Sequence, residues 1–279
     1  MRGMTVSFSD INAMLAARQP LPDPCGGACG LVFHQLQEAG MPLSSEWQYT
    51  IQRIAQFQNK AWPQIKHPRV AIYASNYGSD LAETQKRLSQ LAQQTDPLTR
   101  LCSLTNADLR VYELDLSQEI TTTGISEEEA AHALSYGLMA VEEHVDCLIV
   151  DCLSANSATV LTEWHTLLLQ ENETDALTLL LQAGAGHDLF AMLGAVFAAR
   201  MASVPVFGGA AMAAVLPLAL SRILPNEADV FMSAPTVFPA TNVVQALAGL
   251  QQLQFILALG PVPEKAAAKR TLITPSAAA

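Results

Sequence analysis

The sequence predicts an α/β protein: a mostly parallel, Rossmann-like sheet with helices on both faces, joined to a small helical domain drawn from the chain ends. Three observations predict it. From residue 69 onward, short apolar runs alternate with helix-length runs, the pattern of a parallel sheet with crossover helices. The apolar runs end in small polar or glycine-containing turns, such as Asn76-Tyr77-Gly78-Ser79 and Gly208-Gly209. Residues 1–68 lack this alternation and read as helices interrupted by prolines. The 279 residues, 50% of them hydrophobic, suffice for one large domain with an appendage and a substantial core. The expected division is a core over 69–244, a small helical domain from 1–68 together with about 245–264, and a frayed or disordered tail over 265–279.

Taken in order, residues 7–17 carry a helical pattern with Ser9 or Asp10 as N-cap. Pro20, Pro22 and Pro24 end it, and a helix is expected from about Leu31 to Ala39. Ser44 or Ser45 caps another, in which Trp47, Ile51, Ile54 and Phe57 share one apolar face. Arg69–Ser75 is a strand, 80–94 a helix and 109–116 a second strand. Ser126 and Glu129 fit a capping box that opens a helix to about Glu143. Asp146–Val150 is a strand of the buried kind, followed by a polar loop over 151–157, a helix through Leu169 and a polar break over 170–175. An apolar run from Leu177 leads to Gly184 and Gly186, an Ala-rich helix, a short strand over Val204–Phe207 and, after Gly209, a second Ala-rich helix.

The formal net charge is −11 and no basic run is present, which argues against nucleic acid or an anionic membrane surface as a partner. Five cysteines in so long a chain do not suggest a disulfide framework. Cys25 and Cys29 with His34 match no common zinc spacing, so no metal or other cofactor is expected. Met201–Ser221 is uncharged and long enough to span a bilayer, yet Pro205, the Gly208–Gly209 pair and Pro217 divide it into strand, turn and helix. Asp10 interrupts any signal-peptide apolar core, and the expectation is a cytoplasmic protein.

In a parallel sheet, ligands bind at the carboxyl ends of strands. This directs attention to Ser75 and Asn76, to the loop Asp151–Ser157, to Gly208 and Gly209, and to the helix entry Gly184–Asp188. Gly184 and Gly186 let backbone N–H groups approach an anion such as a phosphate. Asp151 suits a ribose hydroxyl, while Ser154, Asn156 and Ser157 suit either phosphate contacts or the capping of the next helix. Asp188 either complements a helix dipole or serves catalysis, and His187 either acts as an acid or base or fills a loop as a half-buried side chain. No G-x-S-x-G elbow, Walker loop or complete G-x-G-x-x-G is present.

Together these segments resemble the nicotinate-nucleotide:dimethylbenzimidazole phosphoribosyltransferase family of cobalamin lower-ligand assembly. The stretch AGHDLFAMLGAVFAARMASVPVFGGAAMAA, from Ala185, follows the family pattern of a glycine pair, an aromatic, an acid, a small-residue helix and a strand ending in an Asp-Gly turn. Gly208 stands where the family has that Asp. Leu21–Gly26 is similar to the opening Pro-Pro-Gly-Ser-Leu-Gly segment, and Ser75–Gly78 stands at a strand ending Asp-His-Gly. Asp151–Ser157 stands at Glu-Leu-Gly-x-Ala/Gly-Asn-Thr, with Leu153 in place of glycine. Thr121–Ser126 replaces a longer glycine-rich phosphate loop. Pro261 occupies the place of the family's general-base glutamate, and Glu264 is the nearby carboxylate.

The resemblance implies the two-part fold, a homodimer, and binding of nicotinate mononucleotide with an aromatic base. It implies transfer of phosphoribose to 5,6-dimethylbenzimidazole, giving α-ribazole 5′-phosphate and nicotinate. The substitution at 261 leaves two alternatives beside an active transferase. One is a non-catalytic relative that binds a nucleotide or benzimidazole-like base. The other is a structural or regulatory partner of a true enzyme.

Overall fold

The protein is described here by a computed structural model covering residues 7–17, 26–77, 81–117, 119–120, 124–153, 157–170, 176–208, 210–223 and 243–259. Its elements in chain order are α1 (Phe8–Ala16), α2 (Gly26–Glu38), α3 (Ser45–Gln58), β1 (Pro68–Ala74), α4 (Leu81–Ala92), α5 (Pro97–Thr105) and β2 (Asp108–Glu113). There follow α6 (Glu127–Gly137), a 3₁₀ turn (Leu138–Ala140), β3 (Cys147–Cys152), α7 (Ser157–Leu169), α8 (Ala176–Gln182), α9 (His187–Met201), β4 (Val206–Gly208), α10 (Ala210–Ile223) and α11 (Val243–Ala258).

The four strands form one sheet in the order β2-β1-β3-β4, every pair parallel. The fold class read from the sequence is therefore the one observed. β1 is buried along its whole length because it is central and covered on both faces. Its side chains alternate between two cores, as the two-residue period of a strand requires. Ala71 and Tyr73 face a core shared with α6, α7, α8, α9 and α10. Val70, Ile72 and Ala74 face a core built with α2, α3, α4, α5 and α11. Across the second core, Trp62 Nε1 donates to the Leu257 carbonyl at 2.9 Å, and Gln254 Nε2 donates to the carbonyls of Ile65 and Thr105.

α9 has no polar face to show to water; every residue from Asp188 to Arg200 is buried. It crosses α6 at a pair of glycines. A Cβ added to Gly194 would lie 2.0 Å from the Leu134 carbonyl oxygen, and one on Gly137 would lie 1.9 Å from that of Ala191. Only hydrogen at both positions lets the backbones approach so closely.

Several boundaries differ from expectation for local reasons. α2 begins at Gly26 rather than near Leu31, anchored by Cys29, which is fully buried and donates its thiol to the Ala61 carbonyl. α5 was not anticipated, although Asp96 caps it through Leu98 N–H at 2.8 Å and Pro97 opens it. α6 does begin at the expected box, with Ser126 and Glu129 capping each other, but it tightens into the 3₁₀ turn after Gly137. Met201–Ser221 is divided between the end of α9, β4 and α10, and among the described residues no helix is long and apolar enough to cross a membrane.

Candidate functional site

Because all four strands run the same way, their carboxyl ends share one edge of the sheet. Ser75, Asn76 and Tyr77 continue directly from β1 at that edge. Ser75 Oγ accepts the Asp188 N–H at 3.1 Å. The Tyr77 hydroxyl accepts the Gly186 N–H at 3.2 Å and donates to Asp188 Oδ1, which also accepts the Leu189 N–H at 2.9 Å. Asn76 holds the loop after β2, accepting the Ile120 N–H at its carbonyl and donating its amide to the Leu116 carbonyl. The end of β1 thus clamps the amino end of α9.

This clamp is dry. Ser75 and Asp188 are 1% and 2% exposed. Burial pushes the Asp188 carboxyl up to about 6, against the opposing pull of the Tyr77 hydroxyl and nearby backbone N–H groups. Burial and the adjacent Asp188 raise the Tyr77 phenol well above its ordinary value. Gly186 is required by space: a Cβ there would lie 2.3 Å from Ile120 Cδ1 and 2.6 Å from the Tyr77 hydroxyl oxygen. Gly184 is required by conformation, with φ at +74°, and it packs against Gly124. The N–H groups of Gly184 and Ala185 donate to the carbonyls of Leu181 and Leu180, and that of Gly186 to Tyr77. In this conformation those donors are committed within the protein.

Asp151 lies at the end of β3. Its Oδ1 accepts the Cys152 N–H at 2.9 Å, and its Oδ2 accepts the N–H of Val243, the first residue of α11, at 3.1 Å. Burial raises its carboxyl to about 6, while these two N–H bonds oppose the shift. Asp151 therefore caps a helix that begins 92 residues further on. Ser157 opens α7, and Gly208 ends β4, buried and paired with Val150. Ser154, Asn156, Gly209, Pro261 and Glu264 lie outside the described residues.

His187 is the first residue of α9 and half-buried at the same edge. Its Nδ1 is enclosed, with no hydrogen-bond partner among the described residues. Burial lowers its pKa from 6.5, and the carboxylates of Glu129 and Asp115 act in the opposite sense. The sequence had brought Ser75, Gly186 and Asp188 to notice separately, but not the Tyr77 hydroxyl that links them. An aromatic three residues beyond a strand was the available signal; its partner 111 residues away was not.

A groove of about 1110 Å³ runs along the edge strand β2, from its start to Glu113 at its end, and past the start of β1, lined by Arg69, Leu88, Arg100, Asp108 and Arg110 among others. Arg69 there is already paired with Asp108 at 2.9 Å and Glu142 at 3.2 Å. The strand-end rule and the displaced carboxyl pKa values both favour the carboxyl edge instead. Among the described residues, no group of three or more His, Cys, Asp and Glu side chains is placed to hold a metal ion.

No family model matches the chain. It is 25% identical over 214 residues, 58% of its length, to the nicotinate-nucleotide–dimethylbenzimidazole phosphoribosyltransferase of Brucella anthropi. It is 24% identical over 200 residues to the protein of that name from Methylocella silvestris. These matches span 62% and 58% of the relatives' own lengths. The fold is similar to that of the Thermus thermophilus enzyme of the same name, with a TM-score of 0.68 at 13% identity, covering 87% of this chain and 98% of that one. In sequence the chain is similar to the nicotinate-nucleotide–dimethylbenzimidazole phosphoribosyltransferases over somewhat more than half its length, and its fold is that of the Thermus thermophilus protein.

Proposed function

We propose that the chain binds nicotinate mononucleotide and a flat aromatic base at the carboxyl edge of its sheet and transfers phosphoribose between them. The acceptor in this reading is 5,6-dimethylbenzimidazole, and the products are α-ribazole 5′-phosphate and nicotinate. The observation that carries it is the agreement of two similarities, one in sequence over 58% of the chain and one in fold over 87% of it, that point to proteins of the same name.

The chemistry asks for little beyond positioning. The pyridinium nitrogen of nicotinate mononucleotide carries a positive charge, so the bond to the ribose carbon breaks with its electron pair returning to that nitrogen. A benzimidazole nitrogen forms the new bond, and the proton on the other ring nitrogen goes to a base. The starts of α7 and α10, which follow Asp151–Ser157 and Gly208–Gly209 in the sequence, are the helix amino ends this reading assigns to the 5′-phosphate. Gly184 and Gly186 form the turn that lets α9 and the loop after β2 close together, while Ser75, Asn76 and Asp188 fix that floor. Glu264 is the carboxylate near the place of the family's base. The reading carries with it a small helical domain from 1–68 and about 245–264, a homodimer, and a cytoplasmic location without a cofactor.

A second reading, a non-catalytic binder of a nucleotide or benzimidazole-like base, is favoured by Pro261 and by the committed N–H groups of Gly184 and Gly186. Incubating the purified protein with nicotinate mononucleotide and 5,6-dimethylbenzimidazole separates the two. The expected outcome is α-ribazole phosphate, identified by chromatography and mass, above a protein-free control. Thermal stabilisation by either ligand with no product supports the second reading.

A further inference from the structure

We infer that His187 is the base that takes the acceptor's ring proton, with the Glu129 carboxylate stabilising the imidazolium that forms. The inference rests on the phosphoribosyl-transfer reading above and assigns a step within it.

The geometry comes first. His187 opens α9 at the carboxyl edge of the sheet, beside Gly186 and the clamp made by Ser75 and Tyr77. Two other acidic groups at this edge are committed. Asp188 is buried with Oδ1 tied to the Tyr77 hydroxyl and the Leu189 N–H, and both oxygens of Asp151 accept backbone N–H groups. The His187 ring is half-buried, and its enclosed Nδ1 meets no partner among the described residues. With Nδ1 enclosed, Nε2 is the ring nitrogen left to accept from a bound N–H.

The charges suit the task. The groups acting on His187 are Glu129 and His132 from α6 and Asp115 from the segment after β2. Burial keeps the free imidazole neutral at pH 7, as a proton acceptor must be. Glu129 is fixed by the Ser126 N–H and hydroxyl, each at 2.7 Å, and these bonds hold its carboxyl below the ordinary range. A fixed negative charge thus awaits the imidazolium. The amino end of α9 disfavours that cation, which promotes release of the proton to solvent once nicotinate has left.

The balance is complete. The acceptor's N–H proton moves to His187, and the other ring nitrogen bonds to the ribose carbon. The ribose–nicotinate bond gives its electron pair to the pyridine nitrogen. His187 ends protonated and returns the proton to water.

The test compares unaltered protein with His187→Gln and Glu129→Gln, measuring kcat, KM and the pH profile with nicotinate mononucleotide and 5,6-dimethylbenzimidazole. Glutamine at 129 still completes the capping box, so it removes the charge and spares the helix start. Expected is a loss of about 10²–10⁴-fold in kcat for His187→Gln, with KM for the mononucleotide little changed. Activity of the unaltered protein should fall at acid pH as His187 protonates, and Glu129→Gln should move that fall to lower pH. If the unaltered protein gives no product, the transfer reading falls and this inference with it. If it turns over and His187→Gln keeps its rate, or the acid fall does not move in Glu129→Gln, the inference alone is overturned.

Discussion

Asp188 is the residue at which stability and the candidate site meet most directly. It is nearly inaccessible, and its carboxyl is raised from 3.8 to about 6 by burial. Below about pH 4 both folded and unfolded chains hold its proton. As pH rises from about 4 to about 6 the unfolded chain ionises first, so this group's contribution to stability is lost across that window. Across the whole window the loss amounts to about 3 kcal/mol. Asn at 188 can still accept from the Tyr77 hydroxyl but does not ionise. The stability of Asp188→Asn relative to the unaltered protein is therefore expected to rise by about 2 kcal/mol between pH 4.5 and pH 7, read by urea unfolding at both values. A constant difference would show that burial does not govern this carboxyl. Asp151 shifts in the same direction but is present in both proteins, so it cancels from the comparison. Little of this was legible in the sequence. Gly186, His187 and Asp188 stood out as a helix entry, but what makes Asp188 unusual is its burial against the end of β1, where it accepts the Tyr77 hydroxyl. Local pattern carries no information about a partner so far along the chain.

Elements were legible where their own residues determine them. The capping box of α6 and the Ser44 cap of α3 are local hydrogen bonds, and both form where their residues stand. β1 and β3 were visible as apolar runs because burial on both faces demands them. α5 was passed over as part of the stretch after α4, though Asp96 and Pro97 together are a helix-start signal. The crossing of α6 and α9 could not be read at all, because each glycine looks ordinary within its own helix. Gly194 faces the Leu134 carbonyl and Gly137 faces that of Ala191, so neither side offers a flexible side chain that could give way. Gly194→Leu is expected to cost about 3 kcal/mol, the upper part of the range for overpacking, since two backbones must separate. Denaturant unfolding checks it, and a cost below about 0.5 kcal/mol, the size of an ordinary surface change, would mean that the helices do not pack at these glycines.

At the scale of the molecule, the alternation from residue 69 onward gave the parallel sheet, and the parallel sheet gave the edge at which to look for a site. What the alternation could not give is how α3 and α11 close the second core. α11 lies against β3, β4 and α5, and Asp151 of β3 caps its first residue. Val243, Leu247, Leu250, Leu253 and Leu257 are buried beside Val70, Ile72 and Ile149 of the sheet and Ile51 and Ile54 of α3. One face of the sheet therefore depends on the last helix among the described residues. Burial of such side chains contributes about 1.5–3 kcal/mol each, so the five contribute on the order of 10 kcal/mol. That is comparable with the whole stability of a typical domain. A chain ended at residue 242 is accordingly expected to lose cooperative unfolding, with far-ultraviolet circular dichroism showing a broad or absent thermal transition and limited proteolysis cutting within the sheet. Supplying residues 243–259 as a separate peptide should restore part of the transition if the lost contacts are those of α11 itself. A truncated chain that melts as sharply as the full one would show that the sheet and α3 form their core without the C-terminal helix, and the capping by Asp151 would then hold α11 in place without supporting the fold.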